Sequence, residues 1–151
     1  MTQTDLCQRI VEHTQEAIIY ADREGLIRLW NEGAKGMFGY EDKEAIGQSL
    51  DLIIPDRLRT RHWQGYRHVM ETGVTRYGSE TLAVPAIRKD GQRFSIEFTI
   101  VLMQDPNGNP IGTAALIRDV TIRWQQEKAQ RERVAALEAK IASLERDKHK
   151  Q

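Results

Sequence analysis

Between Arg93 and Ile100 the chain alternates strictly, with Phe94, Ile96, Phe98 and Ile100 interleaved with Arg93, Ser95, Glu97 and Thr99. A period of two places the apolar set on one side of an extended strand and the polar set on the other, so this stretch predicts a half-buried strand. It is bracketed by turn chemistry, Lys89-Asp90-Gly91 before it and Asp105-Pro106-Asn107-Gly108-Asn109-Pro110 after it. Both turns are short enough to join antiparallel neighbours. The flanking segments, Ser79 to Arg88 and Ile111 to Val120, then read as its partners, with Pro85 pointing to an edge position or a bulge in the first.

Upstream, Ala17-Ile18-Ile19-Tyr20-Ala21 and Leu26-Ile27-Arg28-Leu29-Trp30 flank the turn residues Asp22-Arg23-Glu24-Gly25 and predict a first hairpin. From Asn31 the period changes. Ala34, Met37 and Phe38 share a helical face that Asn31 can cap and Gly39-Tyr40 ends. A further turn spans Asp42 to Gly47, and the apolar cluster Leu50, Leu52, Ile53 and Ile54 stops at Pro55. Asp56 is expected to cap a helix from Arg57 to Thr72, closed by Gly73. Leu6, Ile10 and Val11 form a short helical pattern ahead of the first strand. Two strands, a run of short helices and a three-stranded meander define an α+β class: a five-stranded antiparallel sheet with helices on one face. The expected divisions are an N-terminal helical cap over 1–14, the sheet domain over 15–121 and a C-terminal helix over 122–151.

Beyond Asp119 neither glycine nor proline occurs. Val134, Leu137, Ile141 and Leu144 follow heptad spacing, with β-branched residues at a and leucine at d. Arg133 and Lys140 then fall at g, Glu138 and Glu145 at e, which gives opposite charges across a parallel pair. The seam predicts a homodimer, and the alternative is an amphipathic helix folded back on its own sheet.

Bulk properties exclude several classes. Lys plus Arg and Asp plus Glu each number 22, so net charge draws the segment to neither nucleic acid nor an anionic membrane. No run approaches the roughly 20 apolar residues that span a bilayer. The single cysteine, Cys7, cannot form an internal disulfide. A soluble, cytoplasmic chain is the expectation. No Gly-rich phosphate loop, nucleophile elbow or His-Glu-x-x-His is present, so no enzyme is expected.

The segment from Asp22-Arg23-Glu24-Gly25 through Asn31-Glu32-Gly33-Ala34 to Phe38-Gly39-Tyr40 resembles the opening of a PAS domain. Arg88-Lys89-Asp90-Gly91 and Arg118-Asp119-Val120-Thr121 resemble that family's later landmarks, in its order and spacing. The likeness runs from Leu6 to Thr121. It implies a sheet that cups a pocket beneath the helices, a role as a sensing and dimerising module in two-component or transcriptional signalling, and an effector downstream. It also makes Asp119, Val120 and Thr121 the junction to an output helix.

Arg61-His62-Trp63-Gln64-Gly65-Tyr66-Arg67-His68 is similar to the helix that bears the proximal histidine in haem-binding PAS oxygen sensors. That resemblance implies haem b held through His62 as the iron ligand. It places His68 and Arg76 near the propionates, and Leu82 and Glu80 where the sensors carry a distal arginine or methionine. Ile53, Ile96, Phe98, Ile100 and Leu116 are the expected apolar walls. Without a distal donor, carbon monoxide or nitric oxide suits the site better than oxygen. Light-sensing relatives place a cysteine at about Ser49 to Ile54, and none is present, which disfavours flavin photochemistry. Three readings stay open beside haem: a non-covalent flavin near Trp30 and Asn31, a carboxylate ligand on Arg57, Arg59, Arg61 or Arg67, and a docking module without a cofactor.

Overall fold

The computed structural model describes residues 1–75 and 81–150. The elements are α1 (Gln3–His13), β1 (Ala17–Asp22), β2 (Ile27–Trp30), α2 (Glu32–Phe38), α3 (Asp42–Ala45), α4 (Arg59–Thr72), β3 (Leu82–Ile87), β4 (Arg93–Gln104), β5 (Pro110–Asp119) and α5 (Thr121–His149). Two 3-10 turns, Leu50–Ile53 and Asp56–Leu58, lead into α4. The chain divides into two compact units, Met1–Asp119 and Val120–Gln151.

In the first unit the sheet order is β2-β1-β5-β4-β3, with every pair antiparallel. The first and last strands in space are therefore β2 and β3. Pro85 lies in edge strand β3, opposite Ser95, where its missing N–H leaves no gap in a central ladder. Residues directly opposite in an antiparallel ladder share a face. Ile117 pairs with both Ala17 and Phe98, and Ala115 with Ile19 and Ile100. These residues, with Phe94, Ile96, Leu102 and Ala21, make the inner face. Ile19 on this face, together with Phe38 and Ile27, is fully buried, and the rings of Phe38 and Phe94 meet edge-on at 5.4 Å.

Asn31 ties the start of this layer together. Its Oδ1 accepts from the N–H groups of Ala34 (2.9 Å) and Ile18 (2.8 Å), and its Nδ2 donates to the carbonyls of Val11 (2.8 Å) and Glu16 (2.9 Å). It is the expected N-cap of α2, and it also holds the chain between α1 and β1.

Two expectations need correction. Asp56 does not cap α4: residues Asp56–Leu58 form a 3-10 turn, α4 begins at Arg59, and Asp56 instead pairs with Arg59 at 2.7 Å. Proline at 55 sets an extended residue before the turn, and the α-helix starts two residues later than expected, at Arg59. Leu116 pairs with Ile18 and Thr99, so it belongs to the outer face and not to a pocket wall; Ala115 and Ile117 take the inner positions. The helical pattern of Leu6, Ile10 and Val11 is α1, along which Leu6 and Ile10 are exposed. The start of the strand expected from Ser79 lies partly outside the described residues.

In the second unit, α5 is one uninterrupted helix of 29 residues. Val134, Leu137, Ile141 and Leu144 are all exposed along it.

Candidate functional site

The site is built on α4. His62, Tyr66 and Met70 recur at four-residue spacing and so lie on one stripe of the helix. Tyr66 and Met70 are buried, which sets that stripe toward the sheet. The Tyr66 hydroxyl lies 2.5 Å from the Asp22 carbonyl and 3.2 Å from that of Ala21, pinning α4 to the end of β1. Burial pushes this phenol up to about 12, so it stays a neutral donor.

His62 stands one turn earlier. Its ring meets Trp63 edge-on at 4.7 Å and lies 5.9 Å from the ring of Tyr66. Burial lowers its pKa, against the opposing pull of the nearby Asp51 carboxylate, so the imidazole is neutral at neutral pH. Its Nδ1 is buried and has no hydrogen-bond partner. An unpaired buried nitrogen costs about 1–3 kcal/mol, which a ligand or a bound group would remove.

Trp63 fixes the start of α4. Its Nε1 donates to Asp51 Oδ1 at 2.8 Å, and its indole lies on Gly25, where a Cβ would come within 2.2 Å of the ring. Only glycine admits that approach, and the positive φ of 80° there requires glycine as well.

The inner surface of β4 changes along its length. Phe94 and Ile96 are buried at 4% and 5% exposure. Phe98, Ile100 and Leu102, on the same face, keep part of their surface open. An apolar strip with incomplete cover is the kind of surface a flat apolar group requires.

Other expected residues fall elsewhere. His68 is exposed. Leu82 opens β3, its backbone opposite Phe98, while Arg76 and Glu80 lie outside the described residues. Ile53 is buried in the core. Arg59 is committed to the loop before it, donating from Nε to the Ile54 carbonyl (3.1 Å) and from Nη2 to the Asp51 carbonyl (3.1 Å). Arg57, Arg61 and Arg67 are exposed, so none of the four supplies an inward guanidinium for a carboxylate. Trp30 is a core aromatic whose Nε1 donates to the Tyr40 carbonyl at 2.9 Å, and Asn31 has its amide engaged on both ends, which leaves neither for a flavin. Among the described residues no cluster of three His, Cys, Asp or Glu side chains could hold a free metal ion, and no helix is long and apolar enough to cross a membrane.

Sequence reasoning missed Tyr66. Its place four residues from both His62 and Met70 was the available signal.

As a test of haem, these residues fit an axial ligand in two respects: a neutral imidazole on the inward stripe with an unsatisfied ring nitrogen, and the open apolar strip of β4.

Comparison with known proteins gives a consistent picture. A family model described as the PAS fold matches residues 11–125. The sensor protein FixL of Bradyrhizobium diazoefficiens is 31% identical over 142 residues, covering 91% of this chain and 26% of FixL. The oxygen sensor protein DosP of Escherichia coli is 23% identical over 142 residues, covering 92% of this chain and 18% of DosP. The chain thus spans about a quarter or less of these relatives' length. A solved PAS domain from Colwellia psychrerythraea superposes with a TM-score of 0.70 at 23% identity, covering 80% of this chain and 98% of that one. The five-stranded sheet, the helices over its inner face and the matched segment agree, and the chain belongs to the PAS-fold family of sensory signal-transduction domains.

Proposed function

We propose that this chain is the ligand-binding sensory module of a longer signalling protein, that it takes haem b through His62, and that it relays the change through a paired C-terminal helix to a downstream effector. The buried, unpartnered Nδ1 of His62 carries the reading: a buried ring nitrogen without a protein partner is disposed toward a group outside the chain. Haem, when bound, supplies an iron centre for a diatomic gas. The chain's own part is to offer a neutral imidazole at His62, to exclude water with Ile96, Phe98 and Ile100, and to hold α4 in place through Tyr66 and Trp63. Leu82 and Glu80 stand at the distal positions by resemblance and give no arginine or methionine donor, so carbon monoxide or nitric oxide is the favoured gas.

Titration of the purified chain with haemin is expected to give a saturable Soret band at one haem per chain. His62→Ala is expected to abolish the band while its circular dichroism stays that of the parent. A folded parent chain without the band, or an unchanged band in the variant, would overturn the haem assignment. Native mass spectrometry would then identify a carried flavin or organic molecule.

The relay needs a partner for the seam. Val134, Leu137, Ile141 and Leu144 are each 44–59% exposed, and the flanking Arg133, Glu138, Lys140 and Glu145 are complementary across a parallel pair. Such exposed ion pairs contribute only about 0.3–0.5 kcal/mol each, so they set register while the apolar seam supplies the affinity. Sedimentation equilibrium is expected to show a dimer that Leu137→Lys converts to a monomer. A monomeric parent at micromolar concentration would remove the dimeric relay. Thr121 and Val120 are then the residues through which the end of β5 is joined to the pairing helix, in a chain we place in the cytoplasm.

A further inference from the structure

A metal-ligating histidine ordinarily donates its second ring nitrogen to a carboxylate or carbonyl, which fixes the rotation of the ring. The Nδ1 of His62 has no such partner, and the χ2 torsion of an imidazole is broad by itself. Its orientation therefore rests on packing. Two other rings of α4 supply it: Trp63 meets the imidazole edge-on at 4.7 Å with the planes at 78°, and Tyr66 lies 5.9 Å away at 38°. Trp63 and Tyr66 also meet each other at 5.5 Å, so the three rings close a triangle.

Both flanking rings are anchored on one turn. Between β1 and β2 the N–H of Gly25 donates to the Asp22 carbonyl at 2.9 Å. That carbonyl also accepts from the Tyr66 hydroxyl, and the Trp63 indole lies on Gly25, its Cη2 and Cζ3 each 2.2 Å from where a Cβ would stand. From the other side, the bond from Trp63 Nε1 to Asp51 Oδ1 (2.8 Å) ties the indole to the 3-10 turn Leu50–Ile53. Asp51 is itself held, its N–H donating to Ser49 Oγ at 3.1 Å and its carbonyl accepting from Arg59 Nη2 at 3.1 Å. The indole thus has a floor and a latch, each on an element outside α4.

We propose that Trp63 is a positioning residue for the His62 ligand, a ring clamp that holds the imidazole at one rotation. This rests on the haem reading and deepens it, by naming the side chain that does for His62 what a hydrogen bond at Nδ1 does elsewhere. An indole suits the task because it couples a broad apolar face to a single N–H that a carboxylate can hold. Asp51 and Gly25 then act on the ligand at one remove. Asp51 latches the indole, and Gly25 admits it against the backbone, where no other residue would leave room.

The clamp is read first without haem, by nuclear magnetic resonance of the full chain carrying isotope-labelled histidine, with the His62 ring signals identified by their loss in His62→Ala. The parent is expected to show nuclear Overhauser contacts from the imidazole to both flanking rings. Trp63→Leu and Asp51→Ala are expected to weaken the contact to Tyr66 and to move the His62 ring-proton shifts toward those of the exposed His68. Asp51→Asn removes the charge but keeps an acceptor oxygen for Nε1, and is expected to restore the parent signals. On titration with haemin the first two variants are expected to bind about 10- to 100-fold more weakly than the parent, the usual cost of losing a group that orients a ligand. Unchanged His62 signals in Trp63→Leu and Asp51→Ala overturn the clamp even where the urea midpoint falls, because the rings would then serve stability alone. If Trp63→Leu does not fold, Asp51→Ala, which keeps the indole, decides. Parent-like haemin affinity in a variant whose imidazole has been freed also overturns the clamp. A parent without a Soret band strikes the haem reading instead, and the His62 signals then decide the clamp alone.

Discussion

Replacing Asn31 by alanine is expected to remove about 4 kcal/mol of stability, a large part of the roughly 5–15 kcal/mol that holds a domain of this size together. The side chain is 5% exposed and all of its polar capacity is in use. Deleting it leaves the N–H groups of Ile18 and Ala34 and the carbonyls of Val11 and Glu16 without their partner. A net hydrogen bond contributes about 1 kcal/mol, and each buried group left unpaired costs about 1–3. The Ala34 bond is also the N-cap of α2, worth about 1 kcal/mol alone. Urea unfolding followed by tryptophan fluorescence measures the sum. Asn31→Asp separates the halves, since a carboxylate keeps the acceptor for Ile18 and Ala34 and loses the donor for Val11 and Glu16. A loss below about 1 kcal/mol in the alanine variant would mean that water replaces these bonds, and that Asn31 is an ordinary cap.

The contrast between the two roles of Asn31 shows which parts of this protein were readable. Its cap on α2 is local, three residues away, and asparagine before a helical period announces it. Its bonds to Val11 and Glu16 depend on how α1 and β1 come together, which no local pattern encodes. The same division runs through the sheet. β4 alternates cleanly, so its inner face was legible from Phe94 to Ile100. β5 reads Gly112-Thr113-Ala114-Ala115-Leu116-Ile117, with small residues where alternation would show, and two adjacent large apolar residues at the end. Only the ladder with β1 decides between them, and it sends Ile117 inward and Leu116 outward. On α4 the resemblance to haem PAS helices drew attention to His62; the spacing of Tyr66 from His62 and Met70 marked its stripe, but the partners that let Tyr66 and Trp63 hold the helix, the Asp22 carbonyl and Asp51, come to them only in the tertiary fold. Arg88 and Asp119 were seen as separate landmarks; their pairing is a product of the tertiary fold.

Gly33→Ala and Gly36→Ala, the same change three residues apart in α2, are expected to act in opposite directions. A helix interior favours alanine over glycine by about 1 kcal/mol, so propensity alone would make both substitutions stabilising. At Gly36 nothing lies within 4 Å of the added Cβ, and a gain of about 0.5–1 kcal/mol follows. At Gly33 the Cβ would stand 2.1 Å from the Glu16 carbonyl oxygen, 2.5 Å from its carbon and 2.7 Å from the Gln15 oxygen. All three are backbone atoms, so no side chain can swing aside; α2 or the segment before β1 must move. That segment is also held by the Asn31 amide at Glu16, so relief of the clash stretches a bond the fold depends on. Overpacking of this kind costs typically 1–3 kcal/mol and more where the neighbours are rigid, which outweighs the propensity gain and leaves a net loss of about 3 kcal/mol. Paired urea melts of the two variants read the sign directly. Equal shifts at the two positions would show that α2 does not press on the Gln15–Glu16 backbone, and would loosen the geometry on which the placement of Asn31 and Phe38 rests.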